Sequence, residues 1–231
     1  MSSDYEPDIG SLQRAEFFAE LAYVSPMERQ SVLENSQYAE EFMLDSRFQN
    51  DTFSVILSKT DNVAFHAYRG TVNSSDVATD AALAFGMLHS TDRYKSNERV
   101  SSIARSYSPN HDNVIHVGHS LGGTLADQIA RTRGDKSVSF NQGSTPLHNY
   151  GEGSRRNVQV RVDNDFVSSF STGKQITVGH HHSAGILEQQ MAKLTGRPLS
   201  WLGQYYQIPA AVRGISSLMS HFTFNFRNNG Y

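Results

Sequence analysis

Between Val114 and Gly123 the chain reads Val-Ile-His-Val-Gly-His-Ser-Leu-Gly-Gly, and no other stretch leaves the backbone so few choices. A β-prone apolar run stops at Gly118, and a helical pattern, Thr124–Ala130, follows at once. A chain that passes from strand to helix within so few residues must make a sharp, strained turn, and G-x-S-x-G is the pattern such a turn requires. The residues two before and two after the serine must be small; Gly118 and Gly122 occupy those places. The turn presents the Ser120 hydroxyl above the sheet and at a helix N-terminus, where the dipole favours developing negative charge. The rival reading is a glycine-rich turn holding an ordinary serine. The apolar run before it, the second glycine at 123 and the helix after it weigh against that reading.

The rest of the chain sets bounds on what surrounds this turn. Its 231 residues suit a single domain, 1–231, with a sizeable core. Net charge is −3 and no basic block invites nucleic acid. No apolar stretch approaches the length of a membrane span. The acidic, polar start, Met1–Asp8, is unlike a signal peptide, and there is no cysteine, which removes disulfides and thiolate chemistry. An intracellular setting is the expectation from these two features.

Taken in order, residues 1–10 read as a flexible or loosely docked arm. A helix follows from Ser11, with Leu12, Ala15, Phe18, Leu21 and Ala22 at helical spacing. Ser25-Pro26-Met27-Glu28 reads as a capping box and predicts a second helix from Pro26 to about Phe42. Thr52–Ser58 and Val63–Tyr68 are strand-like and form a hairpin, ending in Arg69-Gly70-Thr71. Residues 75–88 read as a helix, and 90–110 as partly helical. Asn113–Val117 is the strand entering the turn, and the helix after it should run to about Gly134, a natural helix-ending residue. Short strands are expected at 137–140, 157–162 and 175–178, with a helix at 183–194. Strands alternating with helices argue for an α/β fold with a mainly parallel sheet flanked by helices.

A serine hydroxyl is a poor nucleophile at neutral pH. It needs a histidine to take its proton and a carboxylate to orient that histidine. On sheets of this kind the partners follow the serine in the order acid, then histidine, and Asp165 and His221 fit that order. The chain here resembles the class 3 lipases, the family of the fungal triacylglycerol lipases, within the α/β-hydrolase superfamily. Four segments carry the likeness, in order: Phe65–Thr71, ending in Arg-Gly-Thr; Gly118–Gly123; Asp165-Phe166-Val167; and Met219–Phe224 around His221. The likeness covers about residues 50–225, and it is most specific in the first two segments.

The resemblance implies Ser120 as nucleophile, Asp165 as acid and His221 as base. It implies an oxyanion hole of the Thr71 and Leu121 N–H groups and a lid at 73–88. It implies an acyl-ester or lipid substrate reached through transient contact with a lipid interface, and no metal or other cofactor. The chain departs from the family at Ser168, where a proline is usual, and in a lid segment rich in Ala, Ser and Asp and without tryptophan.

Several alternatives remain at this point. Asp163 is a rival acid. His180, His181 and His182 invite a metal reading or a rival base, but adjacent residues on a strand point to opposite faces, and loop residues near the cleft are the simpler reading. His66 and His116 fall in strands and read as hydrogen-bonded core residues. His119 reads as packing support for the turn, and Arg69 as a structural tie. Trp201, Tyr205 and Tyr206 fit either amphipathic packing or lipid contact. The functional expectation is a serine hydrolase of acyl-lipid esters. The alternatives are a short-chain or phospholipid esterase and a lipase-fold binding protein without turnover.

Overall fold

The computed structural model describes residues 5–70, 87–143, 156–162 and 174–178. Seven strands form one sheet whose spatial order is the chain order: β1 (Phe42–Asn50), β2 (Phe53–Ser58), β3 (Val63–Tyr68), β4 (Asn113–His119), β5 (Lys136–Phe140), β6 (Asn157–Val162) and β7 (Lys174–Val178). The first three are antiparallel neighbours, and β3 through β7 are parallel. Parallel neighbours need crossover connections, and helices supply them on both faces of such sheets. Here α1 (Ile9–Leu21) and α2 (Arg29–Glu34) pack on one face. On the other lie α3 (Asp92–Tyr107) and α4 (Leu121–Arg133), with a short 3₁₀ turn at Leu88–Ser90. This is the α/β architecture expected from the sequence, a mainly parallel sheet flanked by helices.

Strand β4 shows why both faces are covered. Its residues alternate in direction, so Ile115 and Val117 join the core under α1, while Val114 joins the core under α4. The α1 face is closed by a cluster of Phe17, Phe18, Tyr38, Phe42 and Phe65, with ring centroids 4.8 to 6.5 Å apart. From α4, Leu121, Leu125, Ala126 and Ile129 cover the opposite face. The register pairs Tyr68 with Gly118, which brings the end of β3 alongside the turn after β4.

Three expectations need correction. The first helix begins at Ile9, capped by the Asp8 carboxylate, which accepts from the Ser11 N–H at 2.7 Å. Tyr5 packs against the core and Glu6 pairs with Lys174 at 2.8 Å, so residues 5–10 dock on the body of the fold. The second helix is only Arg29–Glu34, and Glu28 makes no side-chain cap. The physical reason is Arg29, whose buried guanidinium donates to the carbonyls of Ala22, Val24 and Phe53. Those bonds tie the α1–α2 turn to β2 and take the place of a capping box. Finally, Phe42–Asn50 is a strand, where a helix end was expected. Its period-2 pattern is broken by an irregularity between Leu44 and Gln49.

Candidate active site

Ser120 has φ 56° and ψ −127°, a backbone conformation an L-residue rarely adopts. The surroundings over-determine it. Its N–H donates to the Phe140 carbonyl at 3.0 Å, and its own carbonyl accepts from the N–H groups of Thr124 and Gly143, both at 3.1 Å. The Thr124 hydroxyl donates to the Gly143 carbonyl at 2.6 Å, which closes the loop after β5 onto the first turn of α4. The small-residue rule has a direct steric basis. A Cβ at Gly118 would lie 2.3 Å from the Gly122 carbonyl oxygen, and a Cβ at Gly122 would lie 2.2 Å from that of Tyr68. Strand and helix therefore cross at backbone contact distance, with Ser120 at the apex. Leu121, the first residue of α4, is fully buried, and its N–H belongs to the helix-end donors that no intrahelical carbonyl can satisfy.

The Arg69-Gly70 segment meets this turn. A Cβ at Gly70 would lie 2.1 Å from the Tyr23 hydroxyl and 2.8 Å from the His119 carbonyl oxygen. The Tyr23 hydroxyl shares a hydrogen bond with His119 Nδ1 at 3.2 Å and donates to the His119 carbonyl at 3.3 Å. His119 thus supports the turn from α1's side, in the packing role expected of it. Arg69 is tied through its backbone: its N–H donates to Thr52 O at 3.1 Å, and its carbonyl accepts from Arg93 Nη2. The same Arg93 nitrogen also donates to the Gly70 carbonyl at 3.3 Å.

Beneath the turn, the α3/α4 face of the sheet carries buried polar groups. Tyr68 Oη shares a hydrogen bond with His116 Nδ1 at 2.8 Å. His116 Nε2 pairs with Asp135 at 3.2 Å, and Asp135 accepts from Arg105 at 2.8 Å. His66 bonds the Ser101 hydroxyl at 2.8 Å. Burial pushes both histidines below the ordinary range, and Asp135 opposes that only at His116. Burial raises the Asp135 carboxyl, but His116 and Arg105 outweigh it and hold the group below its ordinary value. Burial also raises Asp127, against the pull of Arg131 at 2.7 Å. Both strand histidines are therefore neutral, hydrogen-bonded core groups, as expected.

The described residues bring together Ser120, Leu121 and the Arg69-Gly70 end of β3. Thr71, Asp163, Asp165, His180, His181, His182, Trp201, Tyr205, Tyr206, His221 and segment 73–86 of the lid candidate lie outside them. Among the described residues no group of three His, Cys, Asp or Glu is placed to hold a metal ion. Nor is any helix there long and apolar enough to cross a membrane. Sequence reasoning missed Tyr23, Arg93 and Asp135. None stands in a motif, and each acts through a fold contact between residues at least 19 positions apart.

A model of the phospholipase-like family described as the Tle-like phospholipase domain matches residues 20–214, most of the chain. The chain belongs to the Tle-like phospholipase domain family. The family is phospholipase-like, which gives lipid ester hydrolysis as the activity at family level. Among solved structures, it is similar to a fungal lipase–inhibitor complex described as a model for interfacial activation in lipases. That match has 13% identity and a TM-score of 0.49, over 69% of this chain and 72% of that one. It is also similar to a lipase from Rhizopus microsporus var. chinensis, at 14% identity and a TM-score of 0.45, over 77% and 78% of the two chains. No curated protein matches the sequence.

Proposed function

We propose that this Tle-like domain is a serine hydrolase that cleaves carboxylic esters of lipids through an acyl-enzyme. The observation that carries the reading is Ser120: a non-glycine residue at φ 56°, held by three backbone hydrogen bonds at the N-terminus of α4. Strain of this kind persists only where the surroundings impose it, and it clusters at reactive sites. In the proposed reaction Ser120 Oγ attacks the ester carbonyl and its proton passes to His221, which Asp165 orients. The resulting oxyanion is met by the N–H groups of Leu121 and Thr71. The bond to the leaving alcohol breaks as His221 returns the proton to it. Water, deprotonated by the same histidine, then hydrolyses the acyl-enzyme and frees the acid. The chemistry is complete without a metal or cofactor.

Among lipid esters we propose phospholipids ahead of triacylglycerols, because the family is phospholipase-like. A panel of short p-nitrophenyl esters, a diacyl phospholipid and a triacylglycerol, assayed with and without micelles, tests this. The reading predicts turnover that Ser120→Ala lowers roughly 10⁴-fold or more, with the phospholipid preferred over the triacylglycerol. Equal turnover by wild type and Ser120→Ala contradicts the mechanism. A preference for the triacylglycerol contradicts the substrate class alone.

A further inference from the structure

Arg93 belongs to no motif, yet its side chain reaches the backbone where the two strongest motifs meet. It lies in the first turn of α3, and that turn is fixed on both sides. Thr91 caps the helix by accepting from the Tyr94 N–H at 3.2 Å. Tyr94 is buried in the core under α4 and its hydroxyl shares a hydrogen bond with Thr132 at 3.3 Å. From this anchored position Arg93 Nη2 donates to two consecutive carbonyls, those of Arg69 and Gly70. In a regular strand consecutive carbonyls point to opposite sides. Here both turn toward one guanidinium, so the β3 ladder ends at this point; its last bond is Arg69 N–H to Thr52 O.

The consequence follows from peptide planarity. In a trans peptide the N–H points opposite to the C=O of the same unit. Holding the Arg69 carbonyl toward Arg93 turns the N–H of that peptide unit, the Gly70 N–H, away from it. The same segment is pressed against the turn, since Gly70 has no room for a Cβ between the Tyr23 hydroxyl and the His119 carbonyl. The guanidinium is in place despite unfavourable surroundings: burial, followed by the neighbouring Arg69 cation, lowers it to about 10, and it remains charged at neutral pH.

We infer that Arg93 is a positioning residue of the ester hydrolase: by clamping the Arg69 and Gly70 carbonyls it aims the following peptide N–H at the oxyanion formed from the Ser120 adduct. The inference rests on the proposed serine-hydrolase reading. It assigns Arg93 no contact with substrate; the residue acts through the backbone it holds.

The test compares wild type, Arg93→Met, Arg93→Lys and Arg133→Met. Arg133 makes a similar arginine-to-carbonyl tie between α4 and α3, donating to Glu98 O at 3.1 Å, and serves as the purely structural control. Active sites are counted by fluorophosphonate titration, melting temperature is recorded, and kcat and KM are measured on p-nitrophenyl butyrate. Inhibition by a trifluoromethyl ketone, which forms an oxyanion on the serine, is measured alongside. Removing one oxyanion donor outright costs about 10²- to 10³-fold in kcat, so misaiming one predicts a loss of about 10- to 100-fold per titrated site in Arg93→Met. KM should hold, the ketone should weaken by a similar factor, and Arg93→Lys should recover part of the loss. Arg133→Met should lower the melting temperature and leave kcat per site unchanged.

If Arg93→Met keeps kcat within twofold, or loses rate only through KM, the inference fails while the hydrolase reading stands. It fails likewise if Arg133→Met reproduces the loss per site. If Arg93→Met does not fold, Arg93→Lys decides between full and reduced kcat. A folded wild type that neither labels nor turns over overturns the hydrolase reading and the inference with it.

Discussion

The two faces of the sheet are built from different chemistry. Under α1 and α2 the sheet's contacts are mainly aromatic and aliphatic, with the buried Arg29 guanidinium confined to the α1–α2 turn: Phe18 alone packs against Phe17, Tyr38, Phe42 and Phe65. Under α3 and α4 the sheet presents His66, Tyr68, His116, Ser137, Ser139, Asn157 and Gln159, all buried. Asp127 and Asp135 face this polar layer from α4 and its C-terminal end. Apolar packing is non-directional and stabilises in proportion to area. Hydrogen bonds fix direction, and in a dry setting a broken one is costly. The strained Ser120 turn rises from the polar side, where Gly118 meets Gly122. The difference teaches a division of labour: both faces carry an apolar core, and the polar layer on one of them adds hydrogen bonds that direct the backbone beside Ser120.

That division can be broken experimentally, beginning with its strongest consequence. Phe18→Ala should destabilise the fold by about 3–5 kcal/mol, read from urea unfolding, while the reactivity of each folded molecule is unchanged. Lost reactivity in the folded fraction would erase the distinction between the faces. On the polar side, Gly122→Ala puts a Cβ 2.2 Å from Tyr68 O. It should cost about 1–3 kcal/mol. It should also slow fluorophosphonate labelling per folded molecule by roughly 10²-fold, because a shift near 1 Å at a reacting group has that effect.

A third test uses protons. His66 and His116 are buried, and burial first of all sets their folded values below the unfolded value of about 6.5. Between the folded and unfolded values the unfolded chain binds more protons, so stability rises with pH there and is level above about 6.5. Acidification below about 6.5 should therefore lower stability, approaching about 1.4 kcal/mol per pH unit for each histidine. His116→Phe should flatten that slope; an unchanged slope would remove His116 from the account. The smallest effect belongs to Gly134, which ends α4 at φ 70° and would offer an added methyl open space, with nothing within 4 Å. Gly134→Ala should cost about 1 kcal/mol through backbone strain alone and leave labelling untouched.

Where local chemistry decides, the sequence was a sufficient guide. Strands β2 and β3 are short, largely apolar runs bounded by turn residues, β6 alternates valine with polar residues, and the glycine at 134 stops α4 for the reason expected. The Ser120 turn was legible because only one backbone path joins its strand to its helix. What escaped was decided by distant partners. Arg29 looked like one more residue of a long helix, but its bonds to Ala22, Val24 and Phe53 hold it at that helix's first position, and Asn35 and Ser36, bonded to the Ser31 and Leu33 carbonyls, close the helix after six residues. Arg93 stands in a stretch read only as partly helical, and only the fold brings it to Arg69 and Gly70. Of the proposed site, Ser120 and Leu121 lie within the described residues, and Thr71, Asp165 and His221 lie outside them.

The central claim is that Ser120 is a nucleophile, and the most direct measurement is covalent. The purified chain is incubated with a fluorophosphonate probe, and the modified peptide is identified by mass spectrometry, with Ser120→Ala alongside. The account predicts a single adduct on Ser120 and none in Ser120→Ala. An adduct on another serine, or none on the folded wild-type chain, would contradict it.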